Sequence, residues 1–397
     1  MSHSCFLVRT ALLDPTRKVV AHEVSWQRAG ATSADVLLSL LASALNDEEK
    51  GWLMADGHLI VPLAPSALAL LDDTALPPKS VTIAIAAEAL VGASGVAMAE
   101  DVRRRGFGLA LLNADGLAID PALFAHATQL QLDGAAPELP ARLKRVIQQR
   151  RAGARIALCN IGAWAHYETC AKAGLDVYAQ KLLSAPAPAQ AARGLNPAQA
   201  VILQLMNLVT RNADIREIES VMKRDPAISY KLFRYINSVG FGLGTEIHSI
   251  RHAVTMLGYS TLYRWLALLL ATASNSDYAA PLMKTAIIRG RFAELLGASL
   301  LPRNEAENLF VAGMFSVLDR LLGQTMEEVL TQIPLSEALC EALLSRSGIY
   351  GPFLALAESC EQADGNSAAL ADALFLSDDS VNRAHLAALA WTQNLKL

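Results

Sequence analysis

The sequence predicts two domains, an α/β domain built on a mainly parallel sheet and then an all-α domain. Short apolar runs alternate with helical stretches through residues 1–183, as βα units require. Residues 184–197, SAPAPAQAARGLNP, hold three prolines and a glycine among alanines, a composition that suits an extended linker better than a helix interior. Beyond it, residues 198–397 keep helical spacing almost throughout, which marks a bundle.

In the first domain, strands are expected at 17–25, 58–63, 80–85, 108–112 and 155–159, with helices at 33–45, 100–105, 141–151 and 167–173. In the second, Val201, Ile202, Leu205, Met206, Leu208 and Val209 share one helix face. Asp214 with Glu217 three positions on has the form of a capping box, ahead of a stripe of Ile215, Ile218, Val221 and Met222. Asp225-Pro226 ends that helix and starts another, with Asp as N-cap and Pro at the first helical position. Ile228, Leu232, Tyr235 and Ile236 face inward there. Gly240, Gly242 and Gly244 then turn a corner before the stripe of Ile250, Ala253, Val254 and Leu257.

Of the 397 residues, 53% are hydrophobic and 18% charged, enough apolar material for two cores and too little polar sequence for long disorder. A formal net charge of −4 supplies no global field for nucleic acid or an acidic membrane surface. The five cysteines show no CxxC spacing, as expected of free thiols in a reducing compartment. The apolar run 265–271 is far short of the ~20 residues that span a bilayer. A soluble, cytoplasmic chain that uses no membrane is expected.

Lys231, Arg234, Arg251 and Arg264 lie near Tyr235, Tyr259 and Tyr263 in sequence. They could form a basic, aromatic patch for nucleic acid or an ordinary solvated helix surface. His248 and His252 have the i, i+4 spacing of a zinc pair, or they belong to a polar face capped by Ser249. Asn237 sits where a polar side chain closes a helix end. Arg103, Arg104 and Arg105 could hold a phosphate or simply complement a helix C-terminus.

Residues 225–271, DPAISYKLFRYINSVGFGLGTEIHSIRHAVTMLGYSTLYRWLALLLA, closely resemble the defining segment of the HDOD module, a helical relative of HD phosphohydrolases found in bacterial signalling proteins. The likeness extends through LDRLLG, MEEVL and IPLSEALCEALL and covers most of 195–365. HD hydrolases bind metal through separated histidines and a His-Asp pair. The matching positions here hold Ser316 and Val317, with Asp319 nearby, and the upstream helix offers Thr285, Ile288 and Arg289. The resemblance therefore implies a helical module without that metal chemistry.

Residues 1–183 resemble a shortened EAL domain, a TIM-type barrel that hydrolyses cyclic di-GMP with two metal ions. FLVRTALLDPTRKVVAHEVSWQR has the shape of that family's first hairpin and signature strand, with Glu23 at the signature acid and Val24-Ser25 after it. Pro62, Ala84, Leu112-Asn113, Cys159 and Gly162 stand where the resemblance places acids or Asn, Gln131 where it places Lys, and Ala179-Gln180 where it places Gln-Gly. Glu23 and Asp133 remain. The chain is thus expected to pair a degenerate, shortened EAL-like barrel (1–183) with an HDOD domain (198–397), and to have no catalytic, cofactor-binding or metal residues.

The implied role is a non-catalytic signalling scaffold, tied to second-messenger or motility regulation, that binds unidentified protein partners rather than nucleic acid. Its candidate surface is Lys231, Arg234, Tyr235, Asn237, Phe241, His248, Arg251 and Arg264. One alternative is a cyclic di-GMP sensor that does not hydrolyse, using Arg103, Arg104 and Glu23. The other is a metal phosphohydrolase using His248, His252 and Asp319.

Overall fold

The computed structural model describes residues 5–27, 34–46, 58–114, 119–150, 152–172, 174–180, 196–222, 224–237, 247, 249–273, 279–333 and 335–393. Two compact units emerge, one formed by Met1–Pro186 with Cys360–Gly365, the other by Ala187–Ser359 with Asn366–Leu397. Residues 184–195 of the expected linker lie outside the described residues, and Asn196 and Pro197 already belong to the first helix of the second unit.

The first unit is a closed eight-stranded barrel in sequential order. Its strands are β1 (Leu7–Leu13), β2 (Val19–Trp26), β3 (Leu59–Pro62), β4 (Val81–Ala86), β5 (Gly108–Leu112), β6 (Gln129–Asp133), β7 (Arg155–Ile161) and β8 (Val177–Gln180). β1 runs antiparallel to both neighbours, β2 and β8, and every other pair is parallel. Helices α1 (Ala34–Leu45), α2 (Gly92–Arg104), α3 (Pro121–Phe124), α4 (Leu139–Gln149) and α5 (Trp164–Lys172) lie between strands. The expected strands all form, within two residues at each end. β1, β6 and β8 are additional to them. The barrel closes tightly because alternate inward positions are small: Ala21, Ala84, Ala110 and Ala157 pack with Leu12 and Ile60. Within this unit Cys360–Gly365 lies on β1, where Arg9 donates its backbone N–H to the Cys360 carbonyl at 3.1 Å and its guanidinium to Glu361 at 3.1 Å.

The second unit is all helix: α6 (Pro197–Thr210), α7 (Ile215–Met222), α8 (Pro226–Ile236), α9 (Ile250–Thr272), α10 (Ala279–Gly297), α11 (Arg303–Phe315), α12 (Leu318–Leu322), α13 (Met326–Leu330), α14 (Glu337–Ser345), α15 (Gly351–Ser359), α16 (Ser367–Ala373) and α17 (Asp378–Gln393). Asn196 and Gln199 form a reciprocal capping box at the start of α6. The box expected at Asp214 is not made. Asp214 caps the Arg216 N–H, while Glu217 turns to Arg211 at 2.6 Å. Asp225 caps α8 as expected, accepting from the N–H groups of Ala227 and Ile228. Gly240, Gly242 and Gly244 lie outside the described residues.

α10 is the central helix, buried nearly all round. It meets α11 through Gly290 and Gly313, where a Cβ on Gly313 would sit 2.3 Å from the Gly290 Cα. α9 changes direction at Gly258, whose φ of 78° places it in the left-handed region that glycine tolerates. No helix among the described residues is long and apolar enough to cross a membrane.

Candidate functional site

In a βα barrel, chemistry gathers at the carboxyl ends of the strands, where loops can surround a ligand. Glu23 lies two residues beyond the core residue Ala21 on β2, hence on the same inward face one layer higher. Cys159 stands in the same relation to Ala157 on β7. Gln131 and Asp133 share a face of β6, in register with Ala157 and Cys159. The fold therefore brings Glu23, Gln131, Asp133 and Cys159 to one rim.

Burial pushes the Glu23 carboxyl up, and a hydrogen bond with Gln131 only partly opposes it. The Glu23 Oε2 and the Gln131 Oε1 are both buried with no hydrogen-bond partner. Burial also raises the Cys159 thiol. The Gln131 hydrogen bond opposes that shift, and the charges of Asp133 and Glu23 add to it. Asp133 differs from Glu23 in that its carboxylate is already used, accepting from the Ala135 N–H at 2.9 Å and the Asn160 amide at 3.1 Å. Of the two acids singled out by sequence, only Glu23 keeps a buried oxygen unsatisfied.

This environment predicts a stability signature. The folded chain holds the Glu23 proton more tightly than the unfolded chain, so stability falls as pH rises from the ordinary carboxyl range, about 4.3, through the raised folded value. Above that value the deficit is constant. Glu23→Gln, a neutral isostere, is expected to melt higher than wild type at neutral pH, with the two melting curves converging in acid. A Glu23→Gln chain that melts lower at neutral pH would contradict the assignment.

Ala84 lies in the barrel core, and Leu112 packs against that core. The Asn113 amide donates to Glu88 at 3.0 Å. Among the described residues no three His, Cys, Asp or Glu side chains converge as a metal site. The two metal ions implied by the EAL likeness call for several oxygen donors each, and the described rim supplies one unsatisfied carboxylate and an amide. The rim residues do not fit that pair of ions.

The arginine run is not at the rim. Arg103 and Arg104 end α2, and Arg105 caps it, which places them at the amino end of β5, opposite the mouth. Arg103 donates to the Phe107 carbonyl at 2.5 Å, Arg104 pairs with Asp101, and Arg105 pairs with Asp72 and Asp101. Arg103, Arg104 and Glu23 therefore cannot form one nucleotide site.

In the helical unit, the positions that the sequence compared with a metal dyad hold a fixed cation. The buried Arg289 donates through Nη1 to the Ser316 hydroxyl at 2.7 Å and to Glu358 Oε1 at 2.9 Å. Arg346 closes on the same carboxylate from Nε at 2.8 Å and Nη2 at 2.9 Å. Glu358 was not legible as part of this group, because 69 residues separate it from Arg289. His248, and with it part of the expected His248, His252 and Asp319 set, lies outside the described residues; His252 and Asp319 join no cluster of three possible ligands among those described.

The candidate surface is only partly as expected. Lys231, Arg234 and Arg251 are exposed. Phe241 and the side chain of Tyr235 lie outside the described residues. Asn237 instead clasps the chain ten residues on, donating to the Ile247 carbonyl at 2.8 Å and accepting the Ile247 N–H at 2.7 Å. Arg264 leaves the patch altogether. It pairs with Glu294 at 2.7 Å and lies over the Phe310 ring. The Tyr259 hydroxyl donates to the Ala213 carbonyl, and burial raises the Tyr263 phenol. The Tyr259 bond ties α9 to the turn ahead of α7.

The chain thus joins a closed eight-stranded α/β barrel unit to an all-helical unit. Residues 195–341, within the helical unit, match the HDOD domain family. The chain is 32% identical over 173 residues to cyclic di-GMP phosphodiesterase CdgJ of Vibrio cholerae, a match that covers 43% of this chain and 40% of that protein. It is 27% identical over 197 residues to the uncharacterized protein YuxH of Bacillus subtilis, covering 48% and 47%. Each match thus spans less than half of the relative's length. Among solved structures it resembles the PaMucR phosphodiesterase in complex with c-di-GMP, with 16% identity and a TM-score of 0.39, over 47% of this chain and 98% of that one.

The match to a cyclic di-GMP phosphodiesterase overturns the expectation of a non-catalytic scaffold or non-hydrolysing sensor, and with it the expectation that the chain is not an enzyme. That expectation treated missing metal ligands as missing chemistry. Glu23, half-buried with a buried Oε2 and its proton affinity raised, is the kind of group that chemistry uses.

Proposed function

We propose that this chain is a phosphodiesterase of cyclic di-GMP, with the barrel rim as its active site and Glu23 as its acid–base residue. The likeness to CdgJ carries the reading. The barrel supports it by setting one proton-binding carboxyl, Glu23, at the end where such folds do their chemistry. In the reaction, a water oxygen bonds to phosphorus and one P–O ester bond breaks. The attacking water gives up one proton to solvent as it bonds. The displaced oxygen takes one from Glu23, which solvent then reprotonates, and a linear dinucleotide ending in a phosphate leaves. Burial keeps Glu23 toward its protonated form, ready to supply that proton, and the adjacent Gln131 orients it. The proposed setting is the cytoplasm, in keeping with five free cysteines.

Chromatography of cyclic di-GMP incubated with the full chain, with and without added magnesium or manganese, tests the reading. Wild type is expected to release the linear dinucleotide. Glu23→Gln is expected to lower kcat by about 10²–10⁴ with KM little changed, although the same variant is more stable. Absence of product from wild type under every condition would end the proposal.

A further inference from the structure

Thr261, Arg264, Trp265 and Leu268 of α9, Phe310 of α11 and Trp391 of α17 enclose a cleft of about 20 Å³, space for one water-sized particle. Its wall carries a donor without an acceptor. The Arg264 Nε is buried and has no hydrogen-bond partner among the described residues. Thr261 lies one turn earlier on the same helix face, and its hydroxyl can donate into the same space.

The charge around the cleft is unbalanced. Arg264 and Arg291 share the single carboxylate of Glu294, at 2.7 and 2.8 Å. Two cations against one carboxylate leave one positive charge in excess, and none of the lining side chains is acidic. That excess sits against aromatic walls. The Arg264 guanidinium lies 4.8 Å from the centre of the Phe310 ring and the Arg291 guanidinium 5.3 Å from that of Trp391, and the two rings stand edge to face.

Size and sign together select the occupant. A cation is repelled, and oxyanions and carboxylates are too large. Water fits, but it brings no charge to offset the excess, whose pull on an ion is stronger beside apolar walls than in bulk solvent. We propose that this cleft binds one monatomic anion, of which chloride is the abundant example, held by the Arg264 Nε–H and the Thr261 hydroxyl. An ion placed there touches α9, α11 and α17 at once, so it stabilises the folded helical unit.

Thermal melts of the full chain at constant ionic strength, with potassium gluconate exchanged stepwise for potassium chloride, test this. The helical transition of wild type is expected to rise with chloride, approaching a tenfold gain in the folding equilibrium per tenfold chloride once the site is filled. Thr261→Val keeps the shape and removes one donor. It is expected to flatten that dependence while melting close to wild type in gluconate. In crystals of wild type soaked with potassium bromide, anomalous signal is expected beside the Arg264 Nε. A transition indifferent to chloride would overturn the proposal and leave the cleft to water alone. A dependence that Thr261→Val leaves intact would overturn it by placing the ion elsewhere. Bromide bound only outside the cleft would do the same, even if the variant failed to fold.

Discussion

Gly313→Ala is expected to destabilise the helical unit by about 3 kcal/mol or more, at the upper end of overpacking costs. The added Cβ would fall 2.3 Å from the Gly290 Cα and 2.4 Å from its nitrogen. Both obstacles are backbone, so no side chain can rotate away, and the α10–α11 pair must separate. Alanine's better helix propensity, worth about 1 kcal/mol over glycine, pushes the other way and is too small to win. A thermal melt followed by circular dichroism should show the helical transition lowered by roughly 6–12 °C. An unchanged transition would mean that α10 and α11 do not approach this closely.

Replacing Arg289 ranks second. Its side chain is 4% exposed and serves Ser316 and Glu358 together. Arg289→Met keeps most of the volume but leaves a buried hydroxyl and part of a carboxylate without their donor. Removing one partner of a buried pair costs about 3–5 kcal/mol. The low end applies here, because Arg346 still holds Glu358 through two hydrogen bonds. Arg346 is itself 29% exposed, so Arg346→Ala should cost about 1 kcal/mol or less. Denaturant midpoints measured for both variants should show Arg289→Met as much the more damaging. The reverse order would place the structural weight on the outer arginine.

Arg289 also shows how far the sequence can be read. Ser316 and Arg289 are legible as departures from a metal-binding pattern, because each sits at a recognisable place in its own helix. That they bond to each other, and that Glu358 completes the group, depends on three helices converging. The barrel behaves similarly. β2, β3, β4, β5 and β7 are visible as apolar runs, but β6, QLQLD, is disguised by glutamines that face the barrel interior. β1 is buried on nearly every residue and shows no alternation.

The candidate sites follow the same division. Glu23 and Asp133 look equivalent in one dimension, two acids left among lost ligands. Only the approach of Asn160 to Asp133, and the lack of any such partner at the Glu23 Oε2, separates them. Arg264 reads as part of a basic patch until Glu294 and Phe310 enclose it.

The sequence by itself determined five of the barrel strands, the start of α8 at Asp225-Pro226 and which two families the halves resemble, because spacing and capping are local. Which acid keeps a usable oxygen, and which arginine is an anchor rather than a surface charge, was decided only by tertiary structure. Proton affinity and pairing depend on burial and on partners brought from distant parts of the chain.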